Sequence, residues 1–285
     1  VAKFKLSSNN QFLPEPGNGK NNETSLSKYK LHNVPVLLIV EDDDEIREYI
    51  KNSFQYAYRV HEAEDGETGY KKALQIIPDI IISDVKMKKL DGITLCNKLK
   101  NDKKTSHIPV IILTSYNTQE YHIKSINQGA DAYLPKPFNI SVLEAYITNL
   151  LESRKKMQEK FSKEFIYGDS KIPLTDIDAR FLESLVKIIE DHISDEKFNA
   201  DMLSKEIGMS RMQLYRKLRG LTDQTVHEFI RNIRLKKATQ MLEQKKMTIT
   251  EIAYAVGFND LTYFARCFKK QYGKSPSEYM SNKNN

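Results

Sequence analysis

Several side chains in this sequence could act together on a phosphoryl group. Glu41, Asp42 and Asp43 directly follow the apolar run VLLIV, Asp84 follows DIIIS, Thr114 closes PVIILT, and Lys136 comes just after AYLP. Carboxylates drawn into one place repel one another, and magnesium relieves that repulsion. It is a hard ion that takes oxygen ligands octahedrally, keeps several waters, and is held by one or two carboxylates beside a phosphate. A hydroxyl such as Thr114 and an ammonium such as Lys136 suit phosphoryl oxygens. The set therefore contains a nucleophile in Asp84, a cation site and two phosphate-binding groups, provided that one fold brings them together.

The elements that must do so are legible as short β-rich runs. VLLIV, RVHEA, DIIIS, PVIILT and AYLP alternate with segments of helical spacing. Strands alternating with helices imply a parallel sheet covered on both faces, a doubly wound α/β domain of five βα units. Its reactive edge is the carboxyl end of the strands, where these residues fall. Taken singly, Asp84 reads as a strand-end turn residue and Lys136 as a solvated charge; five features at successive strand ends do not.

The segments LLIVEDDDEI, IISDVKMKKLDG, VIILTS and AYLPKPF resemble the response-regulator receiver family, over residues 35–152. The resemblance implies a metal pair at Glu41 and Asp42, a phosphoacceptor at Asp84 and a metal-binding backbone carbonyl at Lys86. It makes Thr114 the switch hydroxyl, Lys136 the phosphate-contacting lysine and Tyr133 an aromatic switch, and it implies a cis Lys136–Pro137 bond. It further implies Mg2+ as cofactor and a histidine kinase phosphodonor domain as partner, in a separate protein or in the same parent chain. Phosphorylation would draw Thr114 inward, let Tyr133 rotate and alter the face of the fourth helix, fifth strand and fifth helix. Lys88 departs from the family, which usually has proline there, so a differently shaped loop is expected after Asp84.

Composition sets the limits around this site. The chain has 285 residues, 40% hydrophobic and 29% charged, with a net charge of +6, which allows about two soluble domains. No run approaches a membrane span and no secretion pattern opens the chain, so a cytoplasmic location is expected, with any parent free to carry a membrane anchor. Cys96 and Cys267 lack metal-ligand spacing and read as buried small side chains rather than as a disulfide. Residues 34–152 carry 14 Lys+Arg against 18 Asp+Glu, whereas residues 153–285 carry 25 against 18. The second half has the sign expected of a nucleic-acid binder.

Residues 1–34 read as a flexible linker, being dense in Asn, Ser, Gly, Pro and Lys. With no initial methionine, this leader points to a fragment of a hybrid chain whose parent would be a protein histidine kinase, although a separate regulator could look the same. Leu143, Ile147, Leu150, Arg154, Met157 and Phe161 form a short heptad stripe broken only by Arg154. It reads either as a dimerising helix, with a homodimer when phosphorylated, or as a receiver helix continued by a solvated helical linker over 153–175, ending near Gly168 and Pro173.

An internal repeat organises residues 176–283. LSKEIGMS at 203–210 corresponds to IAYAVGFN at 252–259, and Leu214, Arg216, Leu218 and Phe229 correspond to Phe264, Arg266, Phe268 and Tyr279. Each copy reads as a helix, a glycine turn at Gly208 or Gly257, and a second helix, with Ser204 or Ala253 where the helices cross; that is helix-turn-helix spacing. TVHE and SPSE read as capping boxes, and Phe229–Leu242 as one basic connecting helix. This part, most clearly ITEIAYAVGFNDLTYFARCFKKQYGKSPSEY, resembles the arabinose-operon-regulator (AraC) type of DNA-binding domain, an all-α tandem helix-turn-helix. The resemblance implies double-stranded DNA as partner and two recognition helices, each entering a major groove. In the first, Leu214, Tyr215 and Leu218 form the apolar face, leaving Met212, Gln213, Arg216 and Lys217 outward; in the second, Phe264, Cys267 and Phe268 are inward and Thr262, Arg266 and Lys269 outward.

Three other readings differ in class from this one. A phosphohydrolase would need a second acid two residues after its nucleophile, where Lys86 stands. HEFIRN at 227–232 superficially resembles a phosphoacceptor-histidine box, but it lacks the proline, no glycine-rich ATP segment follows, and His227 lies inside the repeat. The chain is therefore not expected to be a kinase itself. A receiver coupled to a protein-binding helical domain stays open at this point.

Overall fold

A computed structural model describes residues 34–115, 129–167 and 175–281. Strands β1 (Val36–Val40), β2 (Arg59–Ala63), β3 (Ile80–Asp84), β4 (Val110–Thr114) and β5 (Ala132–Pro135) form one sheet in the order β2-β1-β3-β4-β5, with every neighbouring pair parallel. β1, β3 and β4 are buried throughout, which is why they read as continuous apolar runs. Successive side chains still go to opposite faces. Leu38, Val40, Ile81 and Ile112 join one core, while Leu37, Ile39, Ile80, Ile82 and Leu113 join the other. Each such side chain contributes about 1.5–3 kcal/mol on leaving water.

Helices α1 (Asp44–Phe54), α2 (Gly66–Ile76) and α3 (Gly92–Asn101) are each started by an aspartate, Asp43, Asp65 or Asp91, whose carboxylate accepts from first-turn amides. The strand order reverses between β1 and β3, and the crevice this opens lies at their carboxyl ends. The doubly wound sheet expected from the sequence is the observed one. The expected fourth receiver helix, the N-terminal linker and the linker markers Gly168 and Pro173 lie outside the described residues.

Helix α4 (Ile140–Tyr167) has 28 residues, about 42 Å at 1.5 Å per residue. Its apolar stripe is used within the chain. Leu143 and Ile147 are buried in the core of the sheet, and Phe161 is buried in the core of the helical region. Arg154, between them, donates to the carbonyls of Gly220 and Asp79. The start of the stripe packs on the receiver, as the second reading expects, and Phe161 at its far end is covered by the helical region rather than by solvent.

The helical region comprises α5 (Asp176–Asp191), α6 (Ala200–Glu206), α7 (Arg211–Thr222), α8 (Val226–Gln244), α9 (Ile249–Ala255), α10 (Leu261–Tyr272) and α11 (Pro276–Ser281). The sequence repeat is also a backbone repeat. Gly208 and Gly257 both adopt left-handed φ, 70° and 78°, and the amides of Met209 and Phe258 return to the carbonyls of Ser204 and Ala253. α8 belongs to both copies: Phe229, Ile230 and Ile233 enter the first core, Leu235, Ala238 and Leu242 the second. It begins at Val226, three residues before the expected Phe229, because the Thr225–Glu228 capping box fixes its start.

Candidate functional site

The carboxyl edge of the sheet assembles the acidic site. β1 delivers Glu41, buried, and Asp42, exposed; β3 delivers Asp84, buried. One carboxylate oxygen from each lies within 4.8 Å of the others. Asp43 caps α1 instead, accepting from the amides of Glu45 and Ile46 at 2.9 and 3.1 Å. Lys136 Nζ bridges the two buried acids, 2.8 Å from Glu41 Oε2 and 2.7 Å from Asp84 Oδ1. The other oxygen of Asp84 accepts from the Lys86 amide at 2.9 Å. An all-oxygen set of this kind fits a hard divalent cation.

Lys136 is placed by its own backbone, whose amide donates to the Thr114 carbonyl at 2.7 Å, so β4 and the residue after β5 are locked together. The Lys136–Pro137 bond is cis, and Thr114 is buried at the end of β4. Tyr133 is half-buried against the β3–β4 core. Burial raises the pKa of Glu41, the neighbouring Asp84 charge raises it further, and Lys136 works against both; the net shift is upward. For Lys136 burial pulls downward, but bonds to Asp84 and Glu41 outweigh it and its pKa is raised.

The loop after Asp84 is tied down at two points. Gly92 donates to the Val85 carbonyl at 2.9 Å, and a Cβ at Gly92 would come within 1.9 Å of the Asp84 carbonyl oxygen. Lys89 pairs with the buried Asp65 at 2.7 Å. An open cavity of about 470 Å³, lined by Asp42, Lys86, Met87, Lys88 and Asp91, leads to the acidic cluster. Lys88, in the place of the expected proline, faces this entrance.

The two candidate recognition helices differ. On α10, Phe264 and Phe268 are buried while Thr262, Arg266 and Lys269 are exposed, as expected. On α7, Leu214 and Leu218 are buried and Met212 is exposed, but Gln213 and Arg216 are half-buried and Lys217 is 0% exposed. The expectation that Lys217 points outward is corrected: its amine is ion-paired to Asp178 of α5 at 2.6 Å and covered by Ser106. A long amine beside an apolar face folds inward when a buried carboxylate waits there.

Comparison with known proteins places both parts. Residues 37–148 match the response regulator receiver domain and residues 203–282 a helix-turn-helix domain. Response regulator MprA of Mycobacterium tuberculosis is 30% identical over 165 residues, covering 53% of this chain and 71% of MprA. The chain belongs to the response regulators. Its two matched domains are, in this order, a receiver and a helix-turn-helix domain, and the reading of the second as a purely protein-binding domain is not favoured. This response regulator is also 42% identical over 245 residues to Histidine kinase P4 of Formosa agariphila, covering 86% of the chain but 18% of that relative. The DNA-binding dual master transcriptional regulator RpaA of Synechocystis is 34% identical over 149 residues, covering 52% of the chain and 61% of RpaA. The chain thus spans under two thirds of the length of both of these relatives.

Several residues of this response regulator escaped the sequence reading. Asp65 and Lys89 hold the loop, Asp178 and Ser106 bury Lys217, and Arg154, legible only as a break in the stripe, braces α4 against α7. One signal was available: Gly220 interrupts an otherwise strong helix pattern, and such a conflict marks a packing reason. Among the described residues no helix is long and apolar enough to cross a membrane.

Proposed function

We propose that this response regulator accepts a phosphoryl group on Asp84 and thereby controls sequence-specific DNA binding by its tandem helix-turn-helix domain. The observation that carries the reading is Lys136 bridging the buried Glu41 and Asp84 beside the exposed Asp42, at the carboxyl edge of the sheet. A carboxylate oxygen of Asp84 attacks the phosphorus of a phosphohistidine; the P–N bond breaks, and its electron pair leaves with the ring nitrogen, which takes up a proton. Lys136 moves with the new acyl phosphate, and the Thr114 hydroxyl donates to another of its oxygens. Water later cleaves the acyl phosphate. Glu41, Asp42, Asp84 and the Lys86 carbonyl would hold Mg2+, which when bound offsets the negative charge gathering on the phosphoryl oxygens.

The donor is a histidine kinase domain, and the output partner is double-stranded DNA, met by Met212, Gln213 and Arg216 of α7 and by Thr262, Arg266 and Lys269 of α10. The protein works in the cytoplasm and pairs as a homodimer when phosphorylated, with Tyr133 following Thr114 in the switch. The test is labelling by phosphoramidate in the presence of magnesium, followed by gel shift with and without beryllofluoride. Asp84→Asn should take up no base-labile phosphate, and beryllofluoride should tighten DNA binding by the unsubstituted chain. Full labelling of Asp84→Asn overturns the phosphoacceptor assignment, and absence of any DNA shift overturns the output.

A further inference from the structure

At the amino-terminal edge of the sheet, opposite the acidic site, two nitrogen-bearing side chains meet at Gly220. Arg154 of α4 donates from Nε to the Gly220 carbonyl at 2.9 Å and from Nη1 to the Asp79 carbonyl at 3.0 Å. Both acceptors are neutral, and Nη2 donates to none of the described residues. The carboxylates whose charge is felt at Arg154 are engaged elsewhere. Asp79 accepts from the Val36 amide at 2.8 Å, Asp178 pairs with Lys217 at 2.6 Å, and Asp131 pairs with Lys100 at 2.7 Å. Burial lowers the pKa of Arg154, and those three charges do not make up the difference.

His107, in the segment 102–109 that leads into β4, comes to the same point. Both of its ring nitrogens are buried and have no hydrogen-bond partner among the described residues. Burial, then the charges of Arg154, Lys217 and Lys100, push its pKa well below the ordinary histidine value, so the ring is neutral and keeps one N–H donor. A buried donor without an acceptor is costly. Gly220 lies inside α7, where glycine is a poor helix former. A Cβ there would fall 2.1 Å from Arg154 Nη2 and 3.1 Å from His107 Nε2. The missing side chain therefore leaves room beside both nitrogens at once.

A cavity of about 230 Å³ adjoins this point, with Arg154 and His107 in its polar lining and Leu150, Met157 and Leu221 in its apolar one. That is the volume of roughly seven water molecules at about 30 Å³ each. Apolar walls with a few convergent polar groups are the usual make-up of a small-molecule site. Charge narrows the ligand further. The Lys100–Asp131 and Lys217–Asp178 pairs cancel, which leaves the single positive charge of Arg154 to be matched. One negative charge matches it, whereas a dianion would bring a surplus into a partly buried place.

We propose that Arg154 and His107 form a binding site for a small monocarboxylate, its carboxylate on Arg154 Nη2 and the His107 ring N–H and its short apolar tail against Leu150, Met157 and Leu221. Such binding needs neither DNA nor phosphoryl transfer, so it adds to the function proposed above and does not depend on it.

Sodium butyrate is the probe, with butyramide as its uncharged counterpart and inorganic phosphate as the competing anion. Isothermal titration of the full chain should give a Kd on the order of 0.1 mM for butyrate and no binding of butyramide. His107→Phe removes both ring nitrogens and keeps an aromatic ring; Arg154→Gln removes the charge. Each should weaken butyrate binding about ten- to a hundredfold, the loss expected for a hydrogen bond to a charged group. An imidazole without partners contributes no bond to the fold, so His107→Phe should be at least as stable as the unsubstituted chain in thermal unfolding, which separates lost binding from lost structure. Long-range ¹H–¹⁵N correlation spectra read the site directly. Butyrate should move the ring signals of His107, identified by their loss in His107→Phe, and leave those of the exposed His227 in place. Absence of butyrate binding up to about 10 mM, a hundred times the expected Kd, overturns the site. Equal binding by the unsubstituted chain and both variants, or unmoved His107 signals at saturation, places the carboxylate elsewhere and overturns it as well. Tighter binding of phosphate than of butyrate overturns the monocarboxylate assignment.

Discussion

Arg216 and Arg266 are equivalent under the internal repeat, yet Arg216 donates to the Ile76 carbonyl, whereas Arg266 is exposed and lies 5.4 Å over the ring of Tyr263. The second helix is therefore where base reading can be tested free of the receiver. Arg266→Ala should cost about 1–3 kcal/mol on the preferred site and relax its preference in one half only. Lys269→Ala should weaken all sequences alike and reduce the salt slope by about one. Equal behaviour of the two variants in competition gel shifts would show that Arg266 contacts phosphate.

Lys217 and Asp178 are a nearly waterless pair, 0% and 4% exposed at their side chains. Removing one partner strands the other, so Lys217→Met should destabilise the helical region by about 3 kcal/mol, near the low end for broken buried pairs. The low end applies because Asp178 keeps bonds from Ser106 and Thr175. Lys217→Met with Asp178→Leu should recover to within about 1 kcal/mol of the starting protein. Urea unfolding of the four-member cycle measures this, and additive losses would mean that the pair is not coupled.

Gly92 allows the loop after Asp84 to fold back onto the strand end. Gly92→Ala places a methyl group against the Asp84 carbonyl oxygen and should cost about 1–3 kcal/mol in urea unfolding. It should also slow magnesium-dependent labelling, because the loop carries Lys86. Normal labelling with normal stability would show that the loop shifts freely.

Asp65 supplies an acid-sensitive contribution. The bond from Lys89 and then that from the Thr68 amide lower its pKa from an ordinary 3.8 to about 2. A carboxylate depressed on folding stabilises the protein fully above its unfolded pKa, and that stabilisation is lost as pH falls from near 4 toward 2. Asp65→Asn should therefore unfold more easily than the unsubstituted chain at neutral pH, and the difference should shrink through this window. A difference independent of pH would place the role of Asp65 in capping α2 alone.

Much of the acidic site could be read from the chain because each member sits at the end of an apolar run. A strand end is a local signal, and a parallel sheet carries all strand ends to one edge. The same logic failed for Asp43, since a carboxylate just before a helix serves its amides first. It failed again at Lys217, where helical spacing gave a side but not a neighbour, and the neighbour was a carboxylate 39 positions away. The stripe along α4 showed that Leu143, Ile147 and Phe161 would be covered without saying by what.

Period, capping and strand-end chemistry are short-range properties, so the sequence by itself determined the five-stranded sheet, the repeat with its glycine turns, and the placing of Glu41, Asp42, Asp84, Thr114 and Lys136 at strand ends. Tertiary structure alone decided that Arg216 meets a receiver carbonyl while Arg266 meets solvent. Two helices with the same local code are distinguished only by what packs on them, and the donors of an exposed helix face take whichever acceptors the rest of the chain brings within 3 Å.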